Sequence, residues 1–458
     1  MSQGIDRPQV KICHRNVAHV RNVAHVRNGE HDVMRRVYYS LYGRLLDKEL
    51  LLRSYKKVRR AGGAAGIDGQ TLAQFGERLD DNLLQLLNEL KTKQYRALPV
   101  KRVEIPKADG GVRLLGIPSV RDRVVQQAVN ELLTPIFEEQ FHPSSFGYRP
   151  NRSCHDAISK ATMFIRRYGL KHVVDMDLSK CFDRLDHELI IQQVKKRVTD
   201  SSVLELIRQF LQSGVMIDGK LASTDIGSPQ GGVISPLSAN IYLDAFDQAM
   251  RDRGHRIVRY ADDILILCRS AKGAQRALEV ATKLLEQDLK LQVNGEKTHI
   301  TQSWRGVNFL GVVIYSHYTK IQPKKLSLFK QKVKAMTKRN SGRPLASVIK
   351  QLNPLLRGFA QYFRIADTKS TFKELAQWVR RRLRSIQLKL WKKPKRLHRR
   401  LKQLGYKPPF ESIAMWRRRN SASPLAHYAM PNKWLDSLTL YDMGKVETGY
   451  VFSAYAKW

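Results

Sequence analysis

Cysteine is scarce in this chain. Cys13, Cys154, Cys181 and Cys268 are the four among 458 residues, and no two stand in a C-x-x-C pair. A disulfide framework and a structural zinc site are therefore not expected, and reduced thiols fit a cytoplasmic protein. Acid is scarce as well: 41 Asp+Glu stand against 81 Lys+Arg, a formal net charge of +40. That excess is larger than solubility requires and calls for a polyanionic partner, RNA or DNA first. Apolar runs approaching the ~18–20 residues of a spanning helix are missing. So are an apolar segment of the signal-peptide kind in the first thirty residues and a basic amphipathic helix at either end, so no membrane partner is expected. The stretch AGGAAGIDGQTL (61–72) is Gly-rich but lacks G-x-x-x-x-G-K, and reads as a surface loop rather than a phosphate loop.

What is present points to a large mixed protein. The chain is 42% hydrophobic, enough for a sizeable core, and its length suits about two to four domains. Residues 1–31 form a leader in which RNVAHVRNVAHVRN repeats a six-residue unit, with His19 and His25 in register and further histidines at 14 and 31. A duplicated, weakly ordered segment is expected there rather than a metal site. Residues 32–60 read as helix on the spacing of Leu41, Leu45, Leu50 and Leu51, and DDNLLQLLNELKTKQY (80–95) as an amphipathic helix with acids at its start. VKRVEIPK, ADGG and VRLLGIP read as two extended runs about a turn, and RDRVVQQAVNELLTPIFEEQF (121–141) as a further helix. Beyond 325 long helices dense in Lys and Arg take over. Residues 380–402 interleave cations with Leu383, Ile386, Leu390 and Trp391, a basic face with an apolar back. Arg380, Arg381, Arg384, Lys392 and Lys393 are the expected RNA-binding residues there.

One stretch resists a bland reading. IVRYADDILIL (257–267) sets Asp262 and Asp263 inside a run that otherwise reads as buried strand. Two adjacent carboxylates repel, and burying them unpartnered is costly. Either they tip a hairpin between two short strands, or divalent cations neutralise them, which requires a further carboxylate. HVVDMDLSKCFDRLDH (172–187) is a second apolar run interrupted by acids, at Asp175, Asp177, Asp183 and Asp186.

With that segment a resemblance becomes specific. D-x-D-L-x-x-C-F-D, S-P-Q-G-G-V-I-S-P-L, Y-A-D-D, L-x-V-N-x-E-K-T and F-L-G follow in the order of the palm blocks of group II intron reverse transcriptase/maturases. IPKADGGVRLLGIPSVRDRVVQ and FGYRPNRSCHDAI resemble the finger blocks of that family, and LNPLLRGFAQYFR its maturase (X) domain. The resemblance covers roughly residues 36–430. It implies Asp177, Asp262 and Asp263 as a catalytic triad holding two Mg2+ ions about 3.5–4 Å apart, with the Leu178 carbonyl as a further ligand and Mn2+ able to substitute. Asp175 and Asp183 are expected to be structural. Lys107 and Arg113, flanking the hairpin tip, would reach the incoming phosphates. Phe182 would lie under the incoming sugar and leave no room for a 2′-hydroxyl. Gln230 and Gly231 would let backbone approach the nucleotide, and Lys297 would be a further cation of the site.

The expectation is therefore an α+β fold: a right-hand polymerase of fingers and palm, an all-α thumb/maturase (X) domain, and a small basic C-terminal module. Its divisions are a leader (1–31), an N-terminal extension (32–95), fingers and palm (96–320), thumb/X (325–405) and the C-terminal module (406–458), with no endonuclease domain. The implied function is RNA-directed DNA synthesis with assistance to intron splicing and mobility. The partners would be RNA template or intron RNA, DNA primer or target DNA, and dNTPs, in the cytoplasm of a bacterium. Two alternatives stay open: a domesticated relative serving DNA repair or phage defence, and a splicing cofactor that binds RNA without polymerising.

Overall fold

The computed structural model describes residues 36–106, 111–217, 220–222, 227 and 231–449. The leader with its hexapeptide repeat, Lys107 and Gln230 lie outside the described residues. The chain adopts the mixed α+β class, with eleven strands among the described residues: β1 (Val100–Pro106), β2 (Val112–Ile117), β3 (His172–Asp177), β4 (Val215–Ile217), β5 (Lys220–Ala222), β6 (Arg256–Tyr260), β7 (Asp263–Cys268), β8 (His299–Gln302), β9 (Val307–Phe309), β10 (Val312–Ile314) and β11 (Thr319–Ile321). They form sheets of order β2-β1-β4-β5, β6-β7-β3-β8 and β11-β10-β9. Two compact units emerge, one from Met1–Arg152, Met176–Ile264 and Arg276–Thr298, the other from Ser153–Asp175, Leu265–Gln275 and His299–Trp458.

In the first unit the long helix Val120–Glu138 is the spine. Val120, Val124, Val125, Ala128, Val129 and Phe137 are all fully buried, and the helix Lys48–Ala61 packs along it. The expected helix at 32–60 breaks into Tyr42–Leu45 and Lys48–Ala61, because Asp47 takes an extended backbone and its carboxylate accepts from the Glu49 N–H. The buried Asp200 secures the same region from afar. One of its carboxylate oxygens accepts from the N–H of Leu41 and Tyr42 (2.7 and 2.8 Å), the other from Ser202 and Val203 (3.0 and 3.2 Å). A single charge thus satisfies donors at the starts of two helices. The expected finger hairpin is present: β1 and β2 pair antiparallel from Lys101↔Ile117 to Pro106↔Val112, which sets Arg113 opposite Ile105.

The second unit is helical after β11. Pro323–Met336, Leu345–Phe363, Lys369–Trp391 and Pro394–Gln403 carry the sequence expected of a basic helical region. Residues beyond 405 share one core with the ends of the last two helices: Leu388, Leu397 and Leu401 pack with Met415, Ala426, Ala429 and Met430. That core corrects part of the expected RNA-facing set. Arg384 is buried and donates to the Met430 carbonyl (2.9 Å) and to Asn432 Oδ1 (2.8 Å). Arg380, mostly buried, pairs with Asp442 at 3.2 Å. Both lie on the inner face of Lys369–Trp391, one turn apart, while Arg381, Lys392 and Lys393 are exposed. No described helix is long and apolar enough to cross a membrane.

Candidate active site

The acids of the opening puzzle sit at a hairpin. β6 ends at Tyr260, Ala261 and Asp262 make the turn, and β7 begins at Asp263. Ala261 has φ +57°, a left-handed backbone that costs an L residue roughly 1–2 kcal/mol. The surrounding structure holds it there. Arg259, fully buried, donates from Nη1 to the Ala261 carbonyl (3.1 Å) and to Asn240 Oδ1 (3.0 Å). Its Nε and Nη2 grip the equally buried Asp247 at 2.9 and 2.6 Å. Burial alone would weaken the Arg259 cation, but Asp247 reverses the balance and its pKa rises above the ordinary value.

A second segment braces the turn from outside. The Phe146 N–H donates to the Arg259 carbonyl and the Arg259 N–H to the Ser144 carbonyl, each at 2.9 Å. Asn240 donates to the Gly147 carbonyl at 2.8 Å. A Cβ on Gly147 would stand 2.3 Å from the Ala261 nitrogen, so only glycine lets the two backbones meet here. The next residue, Tyr148, also left-handed at φ +57°, directs its ring edge-on to Phe182 at 6.2 Å.

Asp177, the last residue of β3, supplies the third carboxylate. Its Oδ2 accepts from Lys297 Nζ (3.1 Å) and Asn294 Nδ2 (3.2 Å). Its carbonyl accepts from the Asn294 N–H (2.9 Å), and its own N–H donates to Thr298 Oγ1 (3.3 Å). The N-G-E-K-T segment thus acts as one clamp on Asp177, and Leu178 beside it bridges to Val293. Burial raises the pKa of Asp262; its own backbone N–H opposes this, the Asp177 charge adds to it, and Arg113 and Lys297 pull it back. Asp177, Asp262, Arg113 and Lys297 therefore share one electrostatic site. The Tyr148 hydroxyl is likewise pushed up, by burial first and then by Asp262. Asp263 is exposed at the start of β7.

Of the remaining expected residues, Phe182 is half-buried in the short helix Cys181–Arg184. Gly231 has φ +117°, and a Cβ there would lie 2.4 Å from the Gly116 carbonyl oxygen, so this loop abuts β2. Among the described residues no group of three His, Cys, Asp or Glu side chains forms a ready metal cage. Tyr148, Asn294 and Thr298 were not foreseen as site residues. N-G-E-K-T gave Lys297 but no sign that its Asn and Thr clamp the same carboxylate.

A family model described as reverse transcriptase (RNA-dependent DNA polymerase) matches residues 105–314, and one described as group II intron, maturase-specific domain matches 326–405. Protein YkfC of Escherichia coli (strain K12) is 35% identical over 283 residues, 54% of this chain and 74% of that protein. The group II intron-encoded protein LtrA of Lactococcus lactis subsp. cremoris is 29% identical over 342 residues, 60% of this chain and 56% of its own length. A putative COX1/OXI3 intron 2 protein of Saccharomyces cerevisiae is 27% identical over 323 residues, 58% of this chain and 38% of its own. The chain thus spans little more than half of LtrA and less of the yeast protein, and the expected bacterial setting gains no support from relatives that include a yeast protein.

Two outcomes test this geometry. Arg259→Met leaves Asp247 buried without its partner, and breaking a buried pair on one side costs about 3–5 kcal/mol. Urea unfolding should show that loss; a change below about 1 kcal/mol would remove the pair from its role. The second concerns Asp262. Its raised pKa means that the folded state disfavours the charged form, so the fold carries that cost at any pH above the raised value. Asp262→Asn should therefore raise the melting temperature in EDTA at neutral pH. The gain should shrink as pH falls and the wild-type carboxyl becomes neutral. A gain independent of pH would refute the electrostatic account.

Proposed function

We propose a function from one premise: this chain belongs to the group II intron reverse transcriptase and maturase family. It copies RNA into DNA, and it binds intron RNA to assist splicing and mobility. The observation that carries the reading is the gathering of Asp177 and Asp262 with Arg113 and Lys297 about a braced Y-A-D-D turn. Carboxylates placed at strand ends among cations suit phosphoryl transfer, in which charge positioning does most of the work.

The donor set fits a hard divalent cation. It consists of carboxylate oxygens, and burial leaves one of them poorly compensated. Asp177, Asp262, Asp263 and the Leu178 carbonyl are the groups that would hold Mg2+, with Mn2+ as a substitute. Two such ions would supply activation of a primer 3′-hydroxyl and neutralisation of a triphosphate. The chain's own residues do the rest. Lys297 and Asn294 fix the Asp177 carboxylate. Arg113, in β2, offers a cation to phosphates near Asp262. Gly231, without a Cβ, lets its backbone lie against the Gly116 carbonyl at β2, where a nucleotide would approach. Phe182, backed edge-on by Tyr148, forms the wall against which a sugar 2′-carbon would press. RNA template, DNA primer and dNTPs are the substrates, and the net charge of +40 serves the polyanion. The RNA-facing cations are Arg381, Lys392 and Lys393.

Primer extension on an RNA template measures the activity. Asp262→Asn should lower it by more than about a thousandfold, since the metal's charge is worth several kcal/mol in the transition state. RNA affinity should stay within about twofold. Parallel loss of binding and synthesis would contradict the assignment, and wild-type protein that binds RNA but extends no primer would favour the splicing-cofactor alternative. Phe182→Ala should raise ribonucleotide incorporation relative to deoxyribonucleotide by about tenfold, on the order of 1.4 kcal/mol. An unchanged ratio in single-nucleotide extension would place Phe182 in the core instead.

A further inference from the structure

A cavity far from Asp262 in sequence gathers cations that no carboxylate among the described residues pairs with. It measures about 380 Å³ and is lined by Trp378, Arg381, Arg382, Arg418, Arg419 and Ser421. Sites for small ligands run from about 300 to 1,000 Å³, a range that includes this volume. Four of the six lining residues are arginines, contributed by the helix Lys369–Trp391 and the short helix Arg418–Ala422. Among the described residues no carboxylate stands within ion-pair distance of Arg381, Arg382, Arg418 or Arg419. This contrasts with Arg380 on the same helix, which has Asp442.

The wall of the cavity is built rather than loose. Arg382 lies over the Trp378 ring, 5.4 Å from its centroid. Its Nε donates to Thr337 Oγ1 (2.6 Å) and its Nη2 to the Thr337 carbonyl (3.1 Å). Arg339 ties the two sides together, donating to the Ser385 carbonyl (3.0 Å) and to the carbonyls of Met415 and Trp416 just before the short helix. Ser421, buried, turns its hydroxyl back to the Arg418 carbonyl (2.7 Å). Arg418 also presses electrostatically on both neighbours. Burial first, and then the Arg418 charge, lowers the pKa of Arg339 and of Arg382. Like charges are thus held together by carbonyl bonds around an opening, an arrangement that an anion would relieve.

We propose that this cavity binds one nucleotide of a single-stranded nucleic acid, its phosphate among Arg381, Arg418 and Arg419 and its base against the Trp378–Arg382 wall. An aromatic ring with an arginine beside it accepts any base face, while guanidinium groups take phosphate oxygens in pairs. The same chemistry serves RNA and DNA. The inference rests on the polymerase and maturase reading only for the expectation that such strands are the natural ligand.

The test uses the full chain and three probes: an unstructured oligoribonucleotide, the matching oligodeoxynucleotide, and a blunt RNA duplex. Trp378→Ala should weaken binding of a single strand about tenfold, within the span for loss of one base stack, and leave the duplex within about twofold. Trp378→Phe should restore most of the loss. Arg418→Gln with Arg419→Gln should flatten the salt dependence on single strands by about 0.7 for each phosphate contact removed. The RNA and DNA arms say which strand the site prefers. Equal weakening of single strand and duplex, or an unchanged salt slope, would overturn the proposal. Primer extension at saturating template is measured in parallel. Extension by these variants at the wild-type rate separates the cavity from the polymerase site, and wild-type protein inert in extension but sensitive to Trp378→Ala in binding would sink the polymerase reading alone.

Discussion

The candidate active site depends on a buried ion pair. Arg259 and Asp247 are both fully enclosed, and isolated either would be expensive. Together they fix a guanidinium whose remaining donors reach Asn240 and the Ala261 carbonyl. The left-handed turn, the approach of Gly147 and the aim of Tyr148 all follow from that placement. An ordinary hairpin would not hold Asp262 against the charge of Asp177. This one does, because its backbone is held from beneath by the arginine and from the side by residues 144–147.

The two ways of reading Y-A-D-D were not rivals. The acids do tip a hairpin between short strands, and the hairpin brings Asp262 to a second carboxylate. The same economy appears at N-G-E-K-T, where the backbone and side chain of Asn294 and the cation of Lys297 all converge on Asp177. In the helical unit, arginine divides into two populations. Arg339, Arg382 and Arg384 spend their donors on backbone carbonyls and hold segments together. Arg381, Arg418 and Arg419 have no carboxylate within ion-pair distance among the described residues. Net charge cannot distinguish the two kinds; burial and partners can.

Local patterns account for what was legible beforehand. The A-D-G-G tip announced the β1–β2 hairpin, the helix at 121–141 lies at Val120–Glu138, and Leu41, Leu45, Leu50 and Leu51 are all buried as their spacing implied. The break after Leu46 is one residue's work: Asp47 caps the next helix instead of continuing the last. Arg380 and Arg384 were read as RNA-facing because composition gives the charge of a stretch but not the direction of each side chain. They stand one turn apart on the face that meets Met430, Asn432 and Asp442, which lie 46, 48 and 62 residues beyond their partners.

By itself the sequence determined the class of the protein, its strongly basic charge and the candidate acids, since these rest on composition and on short ordered motifs. Tertiary structure decided which groups surround those acids. Tyr148, Asn240 and Asp247 come to Arg259–Asp262 from elements separated along the chain, and no period or spacing encodes such a meeting. It follows from packing: Gly147 can lie on Ala261 only because neither backbone carries bulk there, and Arg259 can be buried only because Asp247 is buried with it.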